Sequence, residues 1–274
     1  MSIALHGPLA LIGAGKMGGA MITGWLTRGL DPTLVYVQDP GPPPEVAALL
    51  ARHKIPVHTA LPAAMPEPAV LLIAIKPQIM DEVFPVVAKR AGPSTVVLSI
   101  AAGRTIAGFA RHLPERTAII RSIPNTPAAV GRGITVCCAN GHVTNAKRAL
   151  ATTLLSAVGQ VGWVDDEALI DTATAVSGSG PAYVFLLAEC LAKAGIAAGL
   201  DAALARQLAD ATVSGSGELL HRSGEDPAIL RRNVTSPNGT TAAALAVLMA
   251  ADGLQPLMDA AVAAATKRSR ELSS

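Results

Sequence analysis

Near its amino end the chain reads Pro8-Leu9-Ala10-Leu11-Ile12, then Gly13-Ala14-Gly15-Lys16-Met17-Gly18-Gly19. A short apolar run that breaks into spaced glycines and continues as a helical stretch has few structural solutions. In a strand–turn–helix unit, Gly13 allows the tight turn, Gly15 lets the backbone approach a pyrophosphate, and Gly18 lets helix and strand pack closely. The phosphates would rest on the free N–H groups of the helix N-terminus. The spacing alone is a weak signal, and a purely structural turn is its rival. Its position directly after a strand makes it a dinucleotide-binding fingerprint, with Ile12, Gly13, Gly15, Lys16, Met17 and Gly18 as candidate cofactor contacts.

The pattern downstream supports that unit. Strands are expected over 8–12, 34–38, 70–75, 96–100 and 117–120, with helices near 17–28, 79–90 and 106–112. Residues 40–44 read as a rigid proline-rich turn, and two further strands, 134–138 and 160–164, flank a helix at 145–156. The run at 70–75 is apolar throughout, as in a parallel strand buried on both faces. Strand–helix alternation implies right-handed crossovers and a doubly wound sheet. After Trp163 no strand is visible. Helices are expected over 169–176, 181–198, 201–220, 227–234, 241–250 and 254–270. The fold class is therefore α/β: a Rossmann-type doubly wound sheet over residues 1–164, followed by an all-α domain over 165–274 that serves dimerisation and the substrate.

Composition narrows the function. Hydrophobic residues make up 50% of the 274, yet aromatics are only 3%, so the core is built from Ala, Val, Leu and Ile. A net charge of +2 with no basic stripe excludes nucleic acid as an expected partner. No uninterrupted apolar stretch approaches the roughly 18 residues of a spanning helix, so no membrane partner is expected. With no basic segment and cleavable apolar run at the start, the chain reads as cytoplasmic. Three cysteines without a C-x-x-C pair, and six scattered histidines, predict neither a disulfide framework nor a metal site.

Six further segments bear on chemistry. Asp39 closes the second strand, where an acidic residue accepts hydrogen bonds from the adenosine ribose and favours NAD; a turn-initiating Asp before Pro40 is the plainer alternative. Ala74-Ile75-Lys76-Pro77 ends an apolar strand on the ligand side of such a sheet, with Lys76 either on the cofactor or in solvent. Ser99-Ile100-Ala101-Ala102-Gly103 leaves room beside a nicotinamide, and Ser122-Ile123-Pro124-Asn125-Thr126-Pro127 reads as a rigid polar loop. Ser177-Gly178-Ser179-Gly180-Pro181 precedes an apolar helix; a nucleophile elbow is rejected, since its spacing and preceding strand are absent. Val234-Thr235-Ser236-Pro237-Asn238-Gly239-Thr240-Thr241 places four hydroxyls at a helix start, more than an ordinary cap needs, and reads as a carboxylate cradle.

Taken in order, IGAGKMG, AIKP, SIAAG, PNTP, SGSGPAY and RRNVTSPNGTTAAALAVL resemble the pyrroline-5-carboxylate reductase family across nearly the whole chain. The resemblance implies hydride transfer from NADPH or NADH to 1-pyrroline-5-carboxylate, giving L-proline, the last step of proline biosynthesis. It implies Ser236, Gly239, Thr240 and Thr241 around the substrate carboxylate, and Asn233 with the Ala74–Pro77 loop, Ala74, Lys76 and Pro77 included, around the cofactor; Ala101, Ala102 and Asn125 are candidate cofactor contacts from their place in the loops after two strands. Thr241 and a water are the two candidates for the proton donor, which makes Thr241 the candidate catalytic residue. The C-terminal helices are rich in Ala and Leu on more than one face, so a homodimer through residues 165–274 is expected; the resemblance adds rings of dimers as a larger assembly. Asn238 stands where the family usually has glycine, and Asp39 where small polar residues are common.

Two other readings remain at this point. A related imine or β-hydroxyacid reductase would use a charged residue on the helix after the Rossmann half, where Glu189 and Lys193 stand. A non-catalytic cofactor sensor would not need the hydroxyl-rich cradle.

Overall fold

A computed structural model describes residues 3–273. In chain order its first part runs β1 (Leu9–Ile12), α1 (Lys16–Thr27), β2 (Val35–Gln38), α2 (Pro44–Arg52), β3 (Val57–His58), β4 (Val70–Ile73), α3 (Met80–Ala88), β5 (Val96–Ser99), α4 (Ile106–Ala110), β6 (Ala118–Pro124), β7 (Gly133–Ala139), α5 (Asn145–Leu155) and β8 (Gly159–Trp163). The eight strands form one sheet in the order β3-β2-β1-β4-β5-β6-β7-β8. Every pairing is parallel except β6 with β7. Strand order reverses between β1 and β4. In open α/β sheets the ligand crevice lies beyond the carboxyl ends of the strands at that switch point.

Every residue of β1, β4 and β5 is buried, which explains their unbroken apolar sequences. Leu9 and Leu11 point to a core beneath α1 and α5, whereas Ala10 and Ile12 point to one beneath α3 and α4. Trp25, fully buried, anchors α1 by donating its indole N–H to Leu154 O at 2.8 Å. On the opposite face Phe84 and Phe109 pack edge to face with centroids 4.9 Å apart.

Four features differ from the sequence reading. The proline-rich stretch is more than a turn: α2 begins at Pro44, where a missing N–H and fixed φ suit the first helical position, with Glu45 and Arg52 complementing the helix dipole. The short strand β3 was also not expected. β6 runs on through Pro124, because Ser122, Ile123 and Pro124 pair with β7, so the loop shrinks to Asn125 and a following 3₁₀ turn at Thr126–Val130. The Ser-Gly-Ser-Gly segment is not a turn between two helices. α6 (Leu169–Ala173) passes through a π-helical turn at Thr174–Gly178 into α7 (Gly180–Ala197), giving one helical run from Leu169 to Ala197. Thr174 and Ser177 hydroxyls donate to the carbonyls of Ile170 and Ala173, which keeps the run helical across the π turn. That merged helix is long and apolar enough to cross a membrane by length and composition, which the separate sequence segments were not.

The remaining helices are α8 (Ala202–Ser223), α9 (Pro227–Asn233), α10 (Thr240–Leu248) and α11 (Leu254–Ser273). Contacts divide the chain into two compact units. The first comprises residues up to Gly178 together with those from Thr266 onward; the second is Ser179–Ala265. This division falls later than the compositional change at 164, because Ile170 in α6 packs with Ile123 and Cys138 of the sheet. Within the first unit, Arg121 is buried in β6, where its guanidinium lies 2.9 Å from Glu167 and 3.7 Å from Asp171. Ser269 of α11 donates to the same Asp171 at 2.7 Å. In the second unit α7 packs on α8, and Asp201 caps α8 by accepting from the N–H groups of Ala203 and Leu204.

Candidate active site

The glycines of the first loop have separable jobs. Gly13 sits at φ +94°, and a Cβ there would fall 2.7 Å from Ala74 O. At Gly18 a Cβ would meet Gly13 O at 2.6 Å, so α1 can approach β1 only without a side chain. Gly15 differs: a Cβ there would meet nothing within 4 Å, and its φ is an ordinary −69°. The fold itself does not require glycine at 15. A glycine there leaves the N-terminus of α1, whose first-turn N–H groups have no acceptor in the helix, open to the approach of a phosphate. The loop therefore fits a dinucleotide.

Three neighbouring loops converge on it. Gly13 N donates to Gln38 O, and Ala74 N donates to Ile12 O. Asp39 places one carboxylate oxygen 2.7 Å from Ala14 N and the other 2.8 Å from Gly41 N, so it is fixed directly against the glycine loop. Ile100 N donates to Ile73 O, and Ser99 holds the next loop by accepting from Ala101 N and from the Ser122 hydroxyl. The sequence candidates Gly13–Gly18, Asp39, Ala74–Pro77 and Ala101–Ala102 thus share one end of the sheet. Lys16 and Lys76 are exposed there, available to an anion.

Two candidates take different parts. Ile12 is a core side chain at 1% exposure and supports the turn from below. Asn125 has a committed amide: its Nδ2 donates to Ser177 O at 3.0 Å and its Oδ1 accepts from Ile134 N at 2.9 Å. Asn125 therefore ties the end of β6 to the π turn, a link that neither motif shows when read separately.

The second unit holds the hydroxyl-rich segment. Thr235 lies apart in function, since its hydroxyl donates to Arg231 O at 2.6 Å and closes α9. Three hydroxyls rather than four remain for a ligand. Asn238 adopts φ +61°, the left-handed conformation that asparagine tolerates, and Gly239 N donates to Ser236 O to complete the turn. Gly239 caps α10 without any side-chain hydrogen bond, and Ser236, Thr240 and Thr241 have no side-chain partner among the described residues. An ordinary N-cap is therefore not what these hydroxyls form. They stand in the first turn of α10 and the turn before it, where the first N–H groups lack an acceptor within the helix, an arrangement suited to a carboxylate. Asn233 ends α9 beside this turn, on the second unit and exposed.

Other titratable groups do not build a rival centre. Glu189 and Lys193 form a 2.6 Å pair on the surface of α7; their hydrogen bond lowers the pKa of one and raises that of the other, so both are charged at neutral pH. Burial pushes the Cys137 thiol up to about 12, which makes it inert as a nucleophile. No cluster of metal-ligating side chains occurs among the described residues.

Sheet, switch point and glycine loop define a Rossmann-type nicotinamide-dependent oxidoreductase. Residues 8–103 match the family described as NADP oxidoreductase, coenzyme F420-dependent, and residues 167–272 match the family described as pyrroline-5-carboxylate reductase dimerisation. The pyrroline-5-carboxylate reductase of Pseudomonas aeruginosa is 39% identical over 264 residues, covering 96% of both chains. The chain belongs to the pyrroline-5-carboxylate reductase family. Among solved structures, a pyrroline-5-carboxylate reductase from Coxiella burnetii superposes with a TM-score of 0.91 at 31% identity, covering 98% of this chain and 100% of that one. The Plasmodium falciparum pyrroline carboxylate reductase, solved with NADP bound, gives 0.76 at 27% identity over 98% and 99%.

Proposed function

We propose that this chain reduces 1-pyrroline-5-carboxylate to L-proline with NAD(P)H as hydride donor. The observation that carries this is end-to-end similarity to the Pseudomonas reductase, with 96% of each chain aligned. A nicotinamide cofactor supplies the hydride; Gly13, Gly15, Lys16, Met17 and Gly18 would hold its pyrophosphate, and Asp39, Ala74–Pro77 and Ala101–Ala102 its flanks.

The substrate is a cyclic imine, electrophilic once protonated. The protein needs to fix the ring, neutralise its carboxylate and keep the reacting carbon in line. Ser236, Thr240 and Thr241 hydroxyls, with the N–H groups at the start of α10 beside Gly239, hold the carboxylate in this reading. Thr241 donates to the substrate, directly or through a water that protonates the imine nitrogen. Asn233, at the end of α9, is assigned to the cofactor, and Asn125 acts by holding the π turn in place. We assign residues 1–164 to the cofactor and 165–274, Asn233 apart, to the substrate and to dimerisation. The apolar surface of the second unit is covered by a second protomer rather than by lipid, rings of dimers are the larger assembly, and the enzyme works in the cytoplasm.

The test is a spectrophotometric assay. Reduced-nicotinamide absorbance should fall only when 1-pyrroline-5-carboxylate is added. No loss at saturating substrate with either cofactor would refute the assignment. A β-hydroxyacid reductase is disfavoured by the solvated Glu189–Lys193 pair.

A further inference from the structure

Past Ile100 N to Ile73 O, no backbone hydrogen bond joins the loop after β4 to the loop after β5 among the described residues. Parallel strands hold their neighbours in place only as far as the ladder runs, so these two loops need another tie if their spacing is fixed. Arg104 supplies one. Gly103, at φ +71°, turns the chain back beyond β5. From there the Arg104 guanidinium grips both oxygens of Asp81, at 2.7 and 2.8 Å, and donates to Pro77 O at 3.2 Å. Asp81 stands in the first turn of α3, which comes after the Ala74–Pro77 loop. Its carboxyl is held below the ordinary value, first by the Arg104 hydrogen bond, so the pair is charged at neutral pH.

We infer that Arg104 is a positioning residue for the cofactor: its fork sets the gap between the Ala74–Pro77 and Ala101–Gly103 loops before the dinucleotide binds. This rests on the proposed cofactor site. Pre-setting the gap removes part of the ordering cost of binding. The geometry is specific to arginine, because a lysine ammonium is a single point that cannot meet both carboxylate oxygens and the Pro77 carbonyl in the same planar way. Asp81 is largely open to solvent at 78% side-chain exposure and Arg104 is half-buried, so global stability depends little on the pair.

The test compares Arg104→Ala, Arg104→Lys and the inverted pair Arg104→Asp/Asp81→Arg with the wild type. Readouts are NADH titration, cofactor KM, substrate KM and thermal midpoint. Arg104→Ala should raise the cofactor Kd and KM about tenfold, leaving substrate KM at saturating cofactor within about twofold. Arg104→Lys should recover part of the loss, and the inverted pair more than either single change. A cofactor Kd within about twofold of wild type in Arg104→Ala, or equal losses on substrate and cofactor alongside a large fall in thermal midpoint, would overturn the inference. A wild type that binds no reduced dinucleotide would instead refute the cofactor site itself.

Discussion

The two units of this chain use apolar residues in opposite ways. In the first, β1, β4 and β5 are buried at every position, and even Trp25, Phe84 and Phe109 are covered. In the second, Ala192 is the only buried residue of α7, Ala205 and Ala209 are the only ones of α8, and α10 has none. Phe185, on α7, is 68% exposed. The first unit closes its own core. The second leaves many apolar side chains exposed, which fits its match to a dimerisation family.

The largest effect should come from attacking that uncovered face. Phe185→Asp would bury an unpaired charge at a dimer interface, a cost of several kcal/mol that weakens association by about two orders of magnitude or more. Light scattering should show monomers or aggregates at micromolar concentration, with activity lost in parallel. An unchanged mass would mean that α7 faces something other than its copy.

Thr241→Ala comes next. Losing a hydrogen bond to a charged group costs about 1.5–3 kcal/mol, so kcat/KM should fall by about 10- to 100-fold. Because Gly239 caps α10 without a side-chain bond, the helix should lose nothing measurable in thermal unfolding. NAD(P)H titration on the same variant should match wild type. If cofactor binding collapses while substrate KM stays put, the hydroxyl turn belongs to the cofactor.

Asp39→Ser probes the first unit. A fixed carboxylate beside the glycine loop repels a 2′-phosphate, so its removal should move the NADPH/NADH preference toward NADPH by about tenfold, or ~1.4 kcal/mol. The ratio is the quantity to measure, since any loosening of the Ala14 contact affects both cofactors alike. An unchanged ratio would place the ribose elsewhere.

The smallest effect concerns Cys137. Its pKa is raised from the ordinary 9.0 to about 12, with burial as the largest cause. The folded state therefore favours the neutral thiol. The stability it contributes is complete below pH 9 and is lost as pH climbs toward 12. At mildly alkaline pH, mass spectrometry after alkylation should find Cys137 unmodified in the native protein and Cys190, which is exposed, as the reactive position in the free chain. Fast labelling of Cys137 would show that the sheet core opens.

These contrasts also mark what the sequence made legible. Strands buried on both faces announce themselves by unbroken apolar runs, and the glycine spacing marked the dinucleotide loop because Gly13 and Gly18 answer local steric demands while Gly15 leaves the start of α1 open. α2 was hidden by prolines: Pro44 starts a helix only because Glu45 to Arg52 can continue one. The π turn was hidden because Ser and Gly are read as turn formers, while Thr174 and Ser177 here bond back along the helix. The structural duty of Asn125 depends on Ser177, distant in sequence, and no local pattern reports such a partner. Arg104 drew no notice in the sequence, because only the third dimension puts Asp81 in its grasp.

The chain leaves the first unit at Gly178 and re-enters it at Thr266, where Ser269 meets Asp171. Topologically the helical unit is thus an insertion stitched at both ends, not an appendage hung from one. A recombination event could not exchange it with a single crossover, and shortening the chain from its carboxyl end would first damage the very unit that begins at the amino end. Whatever diversity this helical module acquires must be acquired in place, between two fixed seams.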